Sequence, residues 1–354
     1  MSNIIEKFDR YLAAAGPAAV VIREPLIPVE GADGVLFPST FASGDNFPGG
    51  YNIDADVKDG DIALVDSVGS QANRIEPMFS EPEYAALVPQ VVIKAGETKR
   101  ISLLEAGHRA GDAIVRCSAL QQELQDAFKA LLGGNATALA KIAPTSLVFG
   151  VWDSRDTQAK MPRLIASTIR AYDVRKLTRS AQYVTATDYV GNQLPDPSDK
   201  ATKDAYAERG FIHVPATGSH GGIIAKGGIR RDATLALAAM RLIHGGLDKA
   251  ATLNLRRYIL GLALVAFTRL PGGYLRQGTI LVSDPDKVRV AEEFYSDGKR
   301  QPFNVTHEEA LAYAKAAAAA FGVGGDREVA FDVERAKKDL EGKEKKPKGK
   351  KEKS

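Results

Sequence analysis

Five basic side chains, Arg155, Lys160, Arg163, Arg170 and Arg175, fall within the stretch from Phe149 to Arg175. Asp153, Asp156 and Asp173 stand against them, so five cations less three anions leave the segment at plus two. Guanidinium and ammonium groups at this density suit phosphate oxygens, which makes the expected chemistry the binding of a polyanion backbone. An apolar run, Ser146 to Trp152, opens the stretch as a predicted strand and holds the only tryptophan of the chain. A polar turn, Asp153 to Lys160, follows, and the chain becomes extended again after Pro162. Strand, basic loop and strand would present the cations from a rigid sheet, while an ordinary hairpin would carry the same residues as solvated charge. Trp152 is expected to anchor the core rather than to stack on a base.

A second stretch, DSVGSQANRIE at Asp66 to Glu76, predicts a helix capped by Asp66 or Ser67 and ended by Pro77. Val68, Ala72 and Ile75 fall at helical spacing and should face the core. Ser67, Ser70, Gln71 and Arg74 share the other side, with Asn73 beside them. Small uncharged groups ending in an arginine allow close approach to a sugar–phosphate backbone, although a solvated helix face has the same pattern. The third stretch, Phe211 to Arg231, holds Gly218, Gly221, Gly222, Gly227 and Gly228, then Lys226, Arg230 and Arg231. It predicts a glycine-rich loop leading into a helix from Asp232, an arrangement that favours phosphate. It lacks the order of a nucleotide-binding loop, because Gly227 follows Lys226 where Ser or Thr would be needed.

Catalytic patterns are absent. The five histidines, His108, His213, His220, His244 and His307, show no metal-ligand spacing on a helix, and Leu311 stands where H-E-x-x-H needs its second histidine. Cys117 is the only cysteine, which excludes a disulfide framework and a cysteine-ligated zinc site within one chain. Asp54, Asp56, Asp59 and Asp61 form a conceivable metal cluster but more simply serve as solvated turn residues. No metal and no cofactor is expected, and the chain is not expected to be an enzyme.

The elements that must position these stretches follow from periodicity. Asn3 to Ala15 predicts a first helix, Ala18 to Arg23 a strand halted by Pro25 and Pro28, and Glu30 to Gly60 a long loop or inserted subdomain. Strands are predicted at Gln90–Ala95, Lys99–Leu104, Ser180–Gly191 and Tyr274–Ser283, the last carrying Arg276. Val288–Tyr295 is open between strand and short helix. Ala119–Leu132 and Leu253–Thr268 predict helices, and Thr306 with Glu309 makes a capping box for a helix stopping at Phe321–Gly322. Apolar residues at 44% and charged residues at 26% describe a globular chain. The apolar run Ile259–Phe267 is well short of the roughly 20 residues that span a bilayer, so the cytoplasm and no membrane partner are expected. From Arg335 to Ser354 ten Lys/Arg against four Asp/Glu give plus six, which leaves the remainder of the plus-three chain at minus three. Any polyanion surface must therefore be a local groove, and the tail should be disordered.

DSVGSQANRIE, the long segment FGVWDSRDTQAKMPRLIASTIRAYDV at Phe149 to Val174 and GGIIAKGGIRRDATLAL at Gly221 to Leu237 together resemble the type I-U (also called I-G) CRISPR backbone subunit of the RAMP superfamily. The resemblance extends over most of residues 1–325. It implies an α+β fold, an RRM-like (ferredoxin-like) palm with inserted thumb and finger elements near 30–60 and 180–230. Residues 1–333 would form the crRNA-binding domain and 334–354 a disordered lysine-rich tail. It also implies a multi-copy Cascade subunit that holds the guide by its backbone and presents it for pairing with target DNA in antiviral defence. The implied partners are crRNA, target DNA through the guide, adjacent copies in a helical filament, a large subunit, a guide-end-capping or processing subunit and a recruited helicase-nuclease. The RNA contacts expected under it are Ser67, Gln71, Asn73 and Arg74 from the helix and Arg155, Lys160 and Arg163 from the central loop. Arg230 and Arg231 follow, then Arg23 and Arg276. The competing expectations are a RAMP-type ribonuclease using Asp54 or Asp56 with a metal, and a phosphate-ligand enzyme built on residues 218–231.

Overall fold

Alternation sets the central strand. β1 (Ala19–Pro28) buries every second side chain, Val20, Ile22, Glu24 and Leu26, and turns Val21 and Arg23 the other way. The computed structural model describes residues 4–55 and 60–344. After a loop-rich segment come β2 (Ile62–Asp66) and α1 (Val68–Ile75), then a mostly helical stretch. A small hairpin follows, β3 (Val151–Trp152) with β4 (Lys160–Met161), and then β5 (Ile165–Ala171). Between β5 and β8 (Ile229–Ala236) the chain makes a two-stranded arm of β6 (Val174–Tyr183) and β7 (Val214–Ala225). A helix, Lys200–Glu208, lies in the segment that joins those two strands. The chain then forms α2 (Lys249–Thr268), β9 (Thr279–Ser283), β10 (Val290–Phe294), α3 (His307–Phe321) and α4 (Val333–Glu344).

The main sheet runs β9 and β10, then β1, β8, β5 and β2, and every one of these pairs is antiparallel. β1 pairs with β10 along Ala19–Arg23 and with β9 along Leu26–Pro28. Pro25 sits where β1 passes from one partner to the other. Its missing N–H costs no ladder bond there, so the strand runs on to Pro28 instead of stopping at Arg23 as expected.

One sheet face carries the core, divided into two apolar clusters. Buried polar side chains from adjacent strands lie on this same face. Glu24 and Arg231 are cross-strand partners joined at 2.6 Å, and Ser167 donates to Gln71 Oε1 at 2.9 Å. α2 and α3 pack tightly over the larger cluster, where a Cβ on Gly261 would lie 2.8 Å from Ala314 Cα. Tyr258 stacks on Phe321, with ring centroids 4.7 Å apart. By length and composition α2 could cross a bilayer, a property core helices share, and 67% of its apolar window is buried here. The Thr306–Glu309 capping box and the stop at Gly322 stand where the sequence places them.

Several expectations are overturned. In place of one helix over residues 3–15, residues 4–15 form two short 3₁₀ turns, Ile4–Glu6 and Asp9–Tyr11, and residue 3 lies outside the described residues. Thr145–Phe149 is helical, so only Val151 and Trp152 remain of the apolar strand. The glycine-rich stretch is no loop before a helix. It is the second arm strand and β8, with Asp232 inside the strand. Its glycines permit contact, since a Cβ on Gly222 would meet Val35 Cγ1 at 2.5 Å and one on Gly227 would meet the Tyr172 backbone at 2.9 Å. The tail expected to be disordered from 334 is helical to Glu344. Asp339 pairs with Arg116, and Arg335 donates to the Ser118 carbonyl at 3.1 Å. Those partners come from residues 116–118, beyond any local signal. Residues 345–354 lie outside the described residues.

Candidate nucleic-acid interface

Helix α1 is held from beneath by one carboxylate. Ser67 caps it, accepting from Ser70 N at 3.2 Å. The fully buried Asp66 accepts from Ser70 Oγ (2.8 Å), Gln71 Nε2 (2.7 Å), Arg74 Nε (3.2 Å) and Arg276 Nη2 (2.8 Å). Arg276 also donates to the Val65 carbonyl at 3.0 Å. Three expected contacts are therefore structural. Gln71 is buried between Asp66 and Ser167, Ser67 is the cap, and Arg276 clamps the entry to the helix. Asn73 and Arg74 remain outward, with Arg74 partly engaged by Asp66.

The β3–β4 hairpin stands beside α1. Its turn closes on the buried Asp153, which accepts from Thr157 N at 2.8 Å and Thr157 Oγ1 at 2.6 Å. With Asp153 turned inward, Arg155, Lys160 and Arg163 are exposed, and none is in an ion pair among the described residues. They line a groove of about 640 Å³ together with Trp152, His108 and Arg109. Trp152 is 55% exposed, which corrects the expected core anchor, and the Lys160 ammonium lies 5.5 Å from its ring centroid. Val151 took the core position of that two-residue strand, and the indole faces the other way.

Gly150 sets the approach of Arg163. It has φ +81°, and a Cβ there would lie 2.8 Å from Arg163 Cγ and 3.0 Å from Arg163 N. Gly150→Ala should cost roughly 1–3 kcal/mol and displace Arg163 from the groove. Urea melts together with oligonucleotide affinity check this. Wild-type values for both would show that the loop relaxes without consequence.

Arg109 carried no sequence signal and organises the floor. Only 2% exposed, it has φ +55° and pairs with the buried Glu76 at 2.6 Å. It donates to Asn73 Oδ1 at 3.1 Å and reaches the Gly150 carbonyl at 3.4 Å. One guanidinium thus joins the end of α1 to the root of the hairpin. Burial pushes the Glu76 carboxyl up to about 7 against the opposing pull of Arg109 and Thr145. Burial likewise lowers the Arg109 pKa, with Glu76 opposing.

The remaining expected residues lie elsewhere. A second cleft, on another side of α1, is lined by Asn73, Arg74, Arg269 and Tyr274, but Arg269 is paired with Glu81 at 2.9 Å. Arg231 borders the same cleft but is buried against Glu24 at 2.6 Å, which gives it a structural role. Arg230 pairs with Asp232 at 2.9 Å and donates to Tyr172 OH at 3.0 Å, on the sheet face opposite the core. Arg23 shares that face, opposite Asp232. The structure therefore gathers Arg155, Lys160 and Arg163 in one groove whose floor, Arg109, is tied to Asn73, places Arg74 in the second cleft, and leaves Arg23, Arg230, Arg231 and Arg276 outside the groove. Among the described residues no three His, Cys, Asp or Glu side chains group to hold a metal, while Asp56 and Asp59 lie outside them. With Ile229–Ala236 a strand and only the four-residue helix Leu237–Met240 directly after it, the phosphate-ligand expectation also loses the helix N-terminus it placed at Asp232.

The fold and groove define a mixed α/β protein with a cationic, aromatic-bearing cleft beside an antiparallel sheet. Residues 20–176 match the family model described as CRISPR-associated protein GSU0053 (Cas_GSU0053), which supports a CRISPR-associated role. The matched span contains β1, β2, α1, Arg109 and the whole groove hairpin. No curated protein matches the chain.

Proposed function

We propose that the chain is the multi-copy backbone subunit of a type I CRISPR effector, of the I-U (I-G) kind within the RAMP superfamily. It holds guide RNA by its phosphates and presents the bases for pairing with target DNA. The observation that carries this reading is the groove, where Arg155, Lys160 and Arg163 stand exposed beside α1 and, among the described residues, without carboxylate partners. Phosphate contacts of this kind fix position without reading sequence, which suits a scaffold for any guide. The strand order supports an RRM-like palm. Taken as first, second, third and fourth strands, β1, β5, β8 and β10 lie in the order fourth, first, third, second, all antiparallel. Helices separate the first from the second, and α2 separates the third from the fourth, as in a βαββαβ unit. The β6–β7 arm, inserted between second and third, takes the place of a thumb. It carries Arg175, Lys176 and Arg179, which are exposed. Adjacent copies, a large subunit, a guide-end-capping or processing subunit and a recruited helicase-nuclease complete the assembly, and the chain itself catalyses nothing.

The test is co-expression with the partner subunits and a CRISPR array, purification without nuclease, and sequencing of the bound nucleic acid. A discrete repeat-flanked RNA is expected, and a complementary RNA incubated with the complex and Mg²⁺ should stay intact. A well-expressed complex free of nucleic acid would reject the scaffold reading, and cleavage of the complementary RNA would make the chain or its partners a nuclease.

A further inference from the structure

Trp152 holds nothing together that the backbone does not already hold. Val151 fills the core beneath it, Asp153 N donates to the Ala159 carbonyl at 2.9 Å, and Gly111 presses on the strand. A Cβ on Gly111 would come within 2.8 Å of the Trp152 carbonyl oxygen. The strand is thus pinned through main chain and Val151, while the one indole of the chain stays 55% exposed inside the groove. An exposed aromatic is ordinary when it stands alone on a surface. This one stands among three cations that have no ion-pair partner among the described residues, with the Lys160 ammonium 5.5 Å from its ring.

We infer that Trp152 is a stacking platform for an unpaired nucleobase of a single strand whose phosphates lie on Arg155, Lys160 and Arg163. The inference rests on the proposed phosphate groove and adds the base site. Cations that track a backbone, with an aromatic ring between them, recur in single-strand binding, because every base offers a π-face whatever its sequence. A base inside a duplex has both faces covered by its neighbours, so the groove would select single strands. A guide base stacked here is withdrawn from pairing with a target. The same chemistry would accept a displaced DNA strand.

The sole tryptophan makes the site self-reporting. Full-length protein is titrated with an adenine oligoribonucleotide, the matching oligodeoxyribonucleotide, an abasic backbone of equal length and a duplex, with binding followed separately by anisotropy. Saturable quenching of Trp152 emission by the single strands is expected, with none from the abasic backbone or the duplex. Quenching by RNA alone would point to the guide as occupant, and quenching by both to any single strand. Trp152→Ala should weaken single-strand binding roughly 5- to 150-fold with melting unchanged, and Trp152→Phe should restore most of it. Binding of the adenine strand without quenching, or equal quenching by the abasic strand, would overturn the stacking site while the phosphate groove stands. Failure to bind any oligonucleotide would remove both.

Discussion

Replacing Arg155, Lys160 and Arg163 together by alanine should strip the guide from the complex and flatten the salt dependence of binding. Each phosphate contact on a single strand contributes about −0.7 to the slope of log K against log salt, so three lost contacts should reduce it by about 2. Affinity near physiological salt should fall on the order of a hundredfold, by a similar factor for every guide sequence, because none of the three needs to read a base. Folding should be unaffected, since all three side chains are exposed and none is in an ion pair among the described residues. Arg231→Ala and Arg276→Ala give the contrast. Arg231 is buried against Glu24 and the half-buried Arg276 is engaged by the buried Asp66, so their loss should appear in thermal melts before it appears in the salt slope. Filter binding across a salt series, run beside melting curves, separates the two groups. An unchanged slope in the triple variant would move the guide to another surface.

That contrast also marks where sequence reading stops. Capping needs only neighbours three or four residues apart, so Thr306, Glu309 and Gly322 were legible, as was Ser67 at the head of α1. The cations of the groove were legible too, because their hairpin is local; that Asp153 turns inward and leaves them unpaired among the described residues was not. What decides Arg231 and Gln71 is remote. Glu24 lies far back in the sequence and Ser167 far ahead, and only the antiparallel register brings them across. A helical wheel puts Gln71 on a polar face, and it is polar, but the water it would have met is replaced by Asp66 and Ser167. Trp152 leaves the core because the apolar run Ser146–Trp152 is not one strand. The helix at Thr145–Phe149 absorbs most of it and leaves alternation to act on two residues. The glycines after 217 suggested a phosphate loop, although several serve contact within a long two-stranded arm. Arg109 had no pattern at all, since its partners Glu76, Asn73 and Gly150 meet only in the fold.

Arg109→Met should be the most damaging single change near the groove. It leaves the Glu76 carboxyl buried without its counter-charge, a loss that typically costs about 3–5 kcal/mol, and it cuts the tie from α1 to the root of the β3–β4 hairpin. The cost should depend on pH in a stated direction. Burial already raises the Glu76 carboxyl to about 7 in the folded chain, above the ordinary carboxylate range. A folded state that holds its proton more tightly gains stability that is fully present below the unfolded pKa and is lost as pH rises through about 7. The wild type should therefore lose this contribution between about pH 4.5, the ordinary carboxylate value, and about pH 7. Without Arg109 the buried charge keeps only the Thr145 hydroxyl against it, so the variant's deficit should widen toward alkaline pH and narrow toward acid, where Glu76 takes up its proton. Adding Glu76→Gln should recover most of the loss and remove its pH dependence, because the buried charge is then gone. Denaturant melts of the wild type, both single variants and the double variant on either side of neutrality measure all of this as one cycle. A deficit that stays constant with pH, or a double variant no better than Arg109→Met, would mean that Arg109 acts through packing against Phe149 rather than through the charge of Glu76.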